Sequence, residues 1–358
     1  MQILRKSSET INQTDKNLWT ILKTPNYIMT MLVILLIITF LFSFTIGRYG
    51  IPFHELLNIF ISRTLGLQKT WSDTAEIVLF NVRFPRVLAA MIIGSGLSLS
   101  GATYQGLFKN PMVSPDLLGA SAGAGFGAAI AILLSFNSIG IQISAFLFGI
   151  GAVMLTYLVS TIIGRNNNAI LVLVLTGMVV STLFSSFISM IKYVADPYSK
   201  LPAITFWLMG GLSSISSKDV LILAILTILG ALPLYLIRWK LNVLSFGEEE
   251  ANALGVDTFK IRILVIFCST LMTASAVSIS GIIGWVGLII PHFARLLVGP
   301  NYKALIPASI LIGSIYLLIV DDIARSLFSM ELPLGILTSL LGAPFFIFML
   351  MKGKRGWI

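Results

Sequence analysis

The chain has 358 residues, of which 56% are hydrophobic and only 11% charged, with a mean hydropathy of +0.94. A soluble domain carries roughly 25% charged residues, so a water-soluble fold is excluded and the bilayer must act as the solvent. The net charge of +9 does not indicate nucleic acid, because Lys and Arg lie between apolar runs, the placement that sets membrane topology.

The chain opens with a basic cytoplasmic tail, residues 1–26, holding Arg5, Lys6, Lys16 and Lys23. No small-residue cleavage site closely follows its first apolar run, so a start-transfer helix is expected and not a cleaved signal peptide. A span needs about 20 largely apolar residues. On that criterion spans are predicted at 27–47, 84–108, 115–135, 139–163, 169–191, 218–237, 263–283, 284–299, 304–320 and 333–351. The eighth is short, and 263–299 could be divided differently. The expected fold is therefore an all-α integral membrane protein of about ten transmembrane helices. One polytopic domain fills 27–351, and a basic tail at 352–358 follows it. Short surface helices are expected around Phe53–Thr64 and Phe206–Leu212, inside the long connections 48–83 and 192–217. The segments sharing the N-terminal face hold 14 Lys/Arg against 9 on the opposite face, which places both termini in the cytoplasm of a cell-membrane protein.

Cys268 is the only cysteine, which excludes a disulfide framework and a thiolate metal site. His292 has no second His within plausible reach, since His54 falls in an outside connection, so no metal or haem site is expected. "DDIAR" sets Asp321 and Asp322 four and three residues before Arg325, a spacing that forms a local ion pair on one helix face and leaves one carboxylate over. No GxxxxGK[ST] or HExxH occurs, so no catalytic residues, no cofactor and no phosphate-cradling loop are expected.

Residues 94–119 and 274–299 align without gaps at an offset of 180, with seven of 26 positions identical, among them Gly101/Gly281, Pro111/Pro291 and Gly119/Gly299. The offset carries the second span onto the seventh, which face opposite ways. This is the pattern of an inverted-repeat transporter; the alternative is that both segments merely need small residues. Gly119, Gly123 and Gly127 form overlapping GxxxG steps, read as packing or pore lining together with Pro111 and Pro291.

The densest acidic cluster lies between two apolar spans, in "VLSFGEEEANALGV" of the loop 241–258. Gly247 permits a sharp entry, and Glu248, Glu249 and Glu250 complement a helix N-terminus. Ala251, Ala253 and Leu254 supply an apolar side, beside Leu244 and Phe246. Gly255 suits a left-handed C-terminus. A solvated loop does not need Ala and Leu at helical spacing, so a docking element for a cytoplasmic partner is the favoured reading.

These stretches, with "RFPRVLAAMIIGSGLSLSGATYQGLFKNPMVSPDLLGASAGAGFG", "FWLMGGLS", "SGIIGWVGLIIPHFARLLVG" and "ELPLGILTSLLGAPFFIFML", resemble the FecCD family over roughly residues 30–352. That family comprises permease subunits of type II ABC importers for cobalamin, haem and iron-siderophores. "GPNYK" at 299–303 departs from the family's polar turn. The resemblance implies ten helices with an inverted pseudo-repeat and a pore made with a second permease copy or homologue. It also implies two cytoplasmic ABC ATPase subunits and an extracytoplasmic substrate-binding protein. The loop after the sixth span would couple to the ATPase, which supplies the hydrolysis this transport subunit lacks. Arg83, Arg86 and Arg325 would form an exposed rim that docks the binding protein. The substrate implied is a bulky small molecule, foremost an iron chelate such as a siderophore, with cobalamin, haem or a molybdate-type oxyanion as alternatives. An ion-coupled secondary transporter is the rival from another class, and would require ionisable relays at mid-membrane.

Overall fold

In lipid every backbone N–H and C=O must be satisfied within the protein, so apolar runs of this length form helices. A computed structural model describes residues 25–47, 49–65, 71–164, 169–328 and 330–353. Apart from a few residues, the two predicted basic tails lie outside the described residues. The described residues form fourteen helices and no strands. The first seven are α1 (Pro25–Ser43), α2 (Phe53–Leu65), α3 (Asp73–Leu107), α4 (Ala120–Leu133), α5 (Ser138–Ile163), α6 (Ala169–Val194) and α7 (Lys200–Met209). They are followed by α8 (Ser217–Leu236), α9 (Arg238–Leu244), α10 (Glu248–Ala253), α11 (Thr258–Ser280), α12 (Val286–Val298), α13 (Tyr302–Ser326) and α14 (Leu334–Gly353).

Ten of these coincide with the expected spans, and α2 and α7 are the expected surface helices. α7 lies earlier than Phe206–Leu212 because Gly210, at φ 71°, ends it. Among the described residues, seven helices are long and apolar enough to cross a membrane; α4, α12 and the apolar part of α14, Leu334–Phe348, are shorter. At 1.5 Å per residue, the 14 residues of α4 and 13 of α12 reach about 20 Å of a hydrocarbon core roughly 30 Å thick. The third and eighth predicted spans are therefore half-helices, each entered through irregular backbone. Ahead of α4 lies a 3-10 turn, Pro115–Leu118, closed by Gly119 at φ 90°. Ahead of α12 lies the stretch 281–285, with positive φ at Gly281 and Trp285. Such backbone is tolerated at membrane depth where other segments satisfy it. The Leu118 carbonyl accepts from Thr156 Oγ1 at 3.0 Å, and the Ser280 carbonyl from Gly211 N at 2.7 Å.

The order long helix, irregular stretch, short helix thus occurs twice, in α3–α4 and α11–α12. α3 and α11 run antiparallel, as an inverted repeat requires: Gly96 faces Met272 while Tyr104 Oη lies 3.5 Å from the Ile266 carbonyl. The gapless register read from the sequence is wrong in detail, however. Gly101 sits inside α3, whereas Gly281 follows the end of α11.

α3 is the axis of the bundle, and small residues let its neighbours approach it closely. A Cβ at Gly94 would stand 2.2 Å from the Gly313 carbonyl of α13, and one at Gly101 1.7 Å from that of Gly287 in α12. Gly123 and Gly127 face the Phe148 and Ser144 carbonyls in the same way, each at 2.4 Å, so their side of α4 is filled by α5. Pro291 is buried within α12, and Pro111 lies in the turn after α3.

Candidate functional site

Two groups of side chains carry the chemistry, at opposite ends of the bundle. The first is the acidic loop. α9 and α10 pack on each other around buried Leu241, Leu244, Ala251 and Val256. Gly247, at φ 153°, turns the chain into α10, and Gly255, at φ 77°, turns it out again. Both turns were legible in the sequence, because only glycine takes these conformations without a Cβ clash. The residues of the expected docking loop divide in two. Leu244, Gly247 and Ala251 point inward and hold the loop, whereas Phe246 (74% exposed), Glu249, Glu250, Ala253 and Leu254 (66%) face outward. Glu248 is drawn away from that surface by an ion pair with Arg262. Asp257 caps α11 by accepting from Lys260 N at 3.1 Å, and this bond, with the Lys260 ammonium, holds its carboxyl below the usual carboxylate range.

The loop is clamped to the bundle by a residue the sequence reading passed over. Asn242 donates to Asn301 Oδ1 at 2.9 Å and accepts from Tyr302 N at 2.8 Å. Tyr302 is buried, and its hydroxyl donates to the Ala102 carbonyl of α3 at 3.3 Å. The unusual "GPNYK" turn is therefore the joint between α9, α13 and the axial helix. A lone Asn next to a docking loop gives no pattern from which that partnership could be inferred.

The second group is the arginine cluster, where α1, α3 and α13 converge. All three arginines are buried, at 4% exposure for Arg83, 6% for Arg86 and 5% for Arg325. The expectation of an exposed rim is thus corrected: these side chains are engaged within the subunit. Arg83 ends a π-helical stretch of α3, Val78–Arg83, and donates to the carbonyls of Phe44 and Tyr49. Arg86 binds Asp321 through Nε at 3.0 Å and Nη2 at 2.9 Å, and Glu331 through Nη1 at 2.9 Å. Arg325 pairs with Asp322 and donates to the Ser43 carbonyl at 2.6 Å. Ser43 Oγ in turn donates to Asp322 Oδ1 at 2.6 Å.

The local ion pair expected within "DDIAR" is present, and the carboxylate it left over is Asp321. Its main partner is Arg86, 235 residues away. Among the described residues three arginines share this cluster with three carboxylates, Asp321, Asp322 and Glu331, so it is balanced. Arg86 and Glu331 also border a polar cavity of about 340 Å³ that reaches Gln142, Ser213 and Ser280. Among the described residues no group of three or more His, Cys, Asp or Glu is placed to hold a metal ion.

The model of the FecCD transport family matches residues 35–352. The chain is 42% identical to the molybdate import system permease protein MolB of Haemophilus influenzae, covering 91% of this chain and 95% of that one. It is 41% identical to a probable iron chelatin transport system permease protein of Helicobacter pylori, over 79% of this chain and 85% of that one. Among solved structures, an inward-facing metal-chelate type ABC transporter superposes with a TM-score of 0.82 at 41% identity, covering 91% of this chain and 99% of that one.

Proposed function

The chain belongs to the FecCD transport family and is a multi-pass permease subunit of an ABC importer, and on that premise we propose the following division of labour between its two ends. The acidic loop faces the cytoplasm and seats on an ABC ATPase through Phe246, Ala253, Leu254 and the carboxylates of Glu249 and Glu250. The observation that carries this reading is a pair of large apolar side chains, Phe246 and Leu254, left exposed on a loop whose Leu241, Leu244, Ala251 and Val256 are buried. A loop outside the membrane exposes such residues at a cost unless a partner covers them. The clamp from Asn242 through Tyr302 to α3 gives that partner a rigid lever on the bundle. The arginine cluster faces outward and receives the carboxylates of a substrate-binding protein. A second permease copy completes the pore, and both termini are cytoplasmic.

The substrate we propose is an iron chelate, supported by the chelate-transporting relative and the metal-chelate type neighbour. A second reading, molybdate, is supported by the similarity to MolB over nearly the whole chain. Uptake of radiolabelled iron-siderophore and radiolabelled molybdate by proteoliposomes holding the permease, its ATPase and its binding protein separates them. ATP-dependent accumulation of iron supports the first; accumulation of molybdate alone replaces it with the second.

A further inference from the structure

We infer that Glu331 is an internal occupant of Arg86, and that a partner's carboxylate docks by taking its place. The inference rests on the docking role proposed for the arginine cluster. Arg86 is buried with two carboxylates already on it, so it has no charge free to offer. The two are not equally held. Asp321 is 0% exposed on α13, and its second oxygen lies 3.7 Å from Arg325 Nε. Its departure would leave two buried guanidiniums short of a counter-ion, which is strongly unfavourable. Glu331 is 36% exposed and lies on the connection between α13 and α14. It is the carboxylate of the cluster that reaches solvent, and it bonds Nη1, the nitrogen that Asp321 does not use.

An acidic side chain on a protein surface can therefore reach Arg86 by a one-for-one exchange at Nη1. The buried cluster keeps its balance of charge throughout, and no arginine is stranded. The exchange also has a structural consequence. The segment bearing Glu331 is tied to the bundle by Leu332 N to the Ala324 carbonyl at 3.1 Å, and by Leu334 N to the Gly210 carbonyl at 2.9 Å. Arg86, Glu331, Gly210 and Leu334 all border the same polar cavity. Releasing Glu331 loosens the mouth of that cavity at the ends of α7 and α14, so docking is felt where the outer connections meet.

The test uses the permease–ATPase complex in nanodiscs and, as probe, the binding protein that restores uptake by that complex. Affinity is measured for the parent, Glu331→Ala, Glu331→Gln, and the pair Arg86→Ala/Asp321→Asn, which removes the cation without stranding a buried carboxylate. With the internal competitor gone, Glu331→Ala and Glu331→Gln bind about two- to five-fold tighter, the range expected for a half-exposed ion pair, and the paired variant binds more weakly. If the paired variant binds weakly but Glu331→Ala is unchanged or weaker, the exchange is refuted and the docking role stands. If none of the variants alters affinity, the cluster is not the docking site and both ideas fall together.

Discussion

Replacing Asp321 with Leu removes the carboxylate that Arg86 and Arg325 share. Asp321 is fully buried, with Arg86 nitrogens at 2.9 and 3.0 Å. After the substitution Arg86 keeps only half-exposed Glu331, and Arg325 keeps Asp322. Breaking a buried pair from one side costs about 3–5 kcal/mol, because an uncompensated charge stays buried. Arg86→Met should cost a similar amount, since it leaves Asp321 with Arg325 at 3.7 Å alone. The combined variant, Arg86→Met with Asp321→Leu, should recover most of the loss, because apolar replacement of a whole buried pair is often neutral. Glu331→Ala should cost under about 1 kcal/mol, in keeping with its exposure. The assay is unfolding of the purified permease in mixed micelles over a denaturant series, closed as a double-mutant cycle. The single losses should exceed the double-mutant loss by more than about 2 kcal/mol. If the two single losses instead add to within about 0.5 kcal/mol, the two residues are not coupled and the reading of the cluster as one charge-balanced unit is refuted.

Leu254→Glu and Ala253→Glu should leave insertion and folding intact but lower transport per ATP hydrolysed, whereas Ala251→Glu should destabilise the fold, because Ala251 is fully buried; normal coupling in the first two removes the docking surface from this loop. Cysteines at Glu249 and Ser199, both exposed, should react with impermeant thiol reagents from the cytoplasm and from outside respectively, against a low background from buried Cys268; labelling of position 249 from outside reverses the orientation. Gly101→Val should prevent α3 and α12 from closing, since even a Cβ would overlap the Gly287 carbonyl. Its cost should reach or exceed the roughly 1–3 kcal/mol typical of overpacking, read as a lower melting temperature, and an unchanged value would show that the close approach is not required.

The sequence by itself determined whatever depends on neighbours along the chain. Apolar length set the helices, and the Lys/Arg distribution set an expected orientation. Gly247, the three glutamates and Gly255 marked the entry, body and exit of α10, because helix ends are made by local backbone conformation and capping. "DDIAR" announced its own local ion pair for the same reason. What only the tertiary structure decided is who covers whom. Leu244 and Leu254 look alike in sequence, yet one is 2% exposed and the other 66%, because α9 and α10 bury one face of the loop against each other. The predicted third span is long enough for a crossing and the eighth already reads short, but only the structure shows that the backbone breaks before Ala120 and Val286, where other segments satisfy the freed polar groups. Arg83, Arg86 and Arg325 read as surface cations until α1, α3 and α13 converge and pair them. Asp321 meets Arg86 across 235 residues, and such a pairing leaves no periodic trace, since it is set by where two helix ends meet and not by spacing along either one.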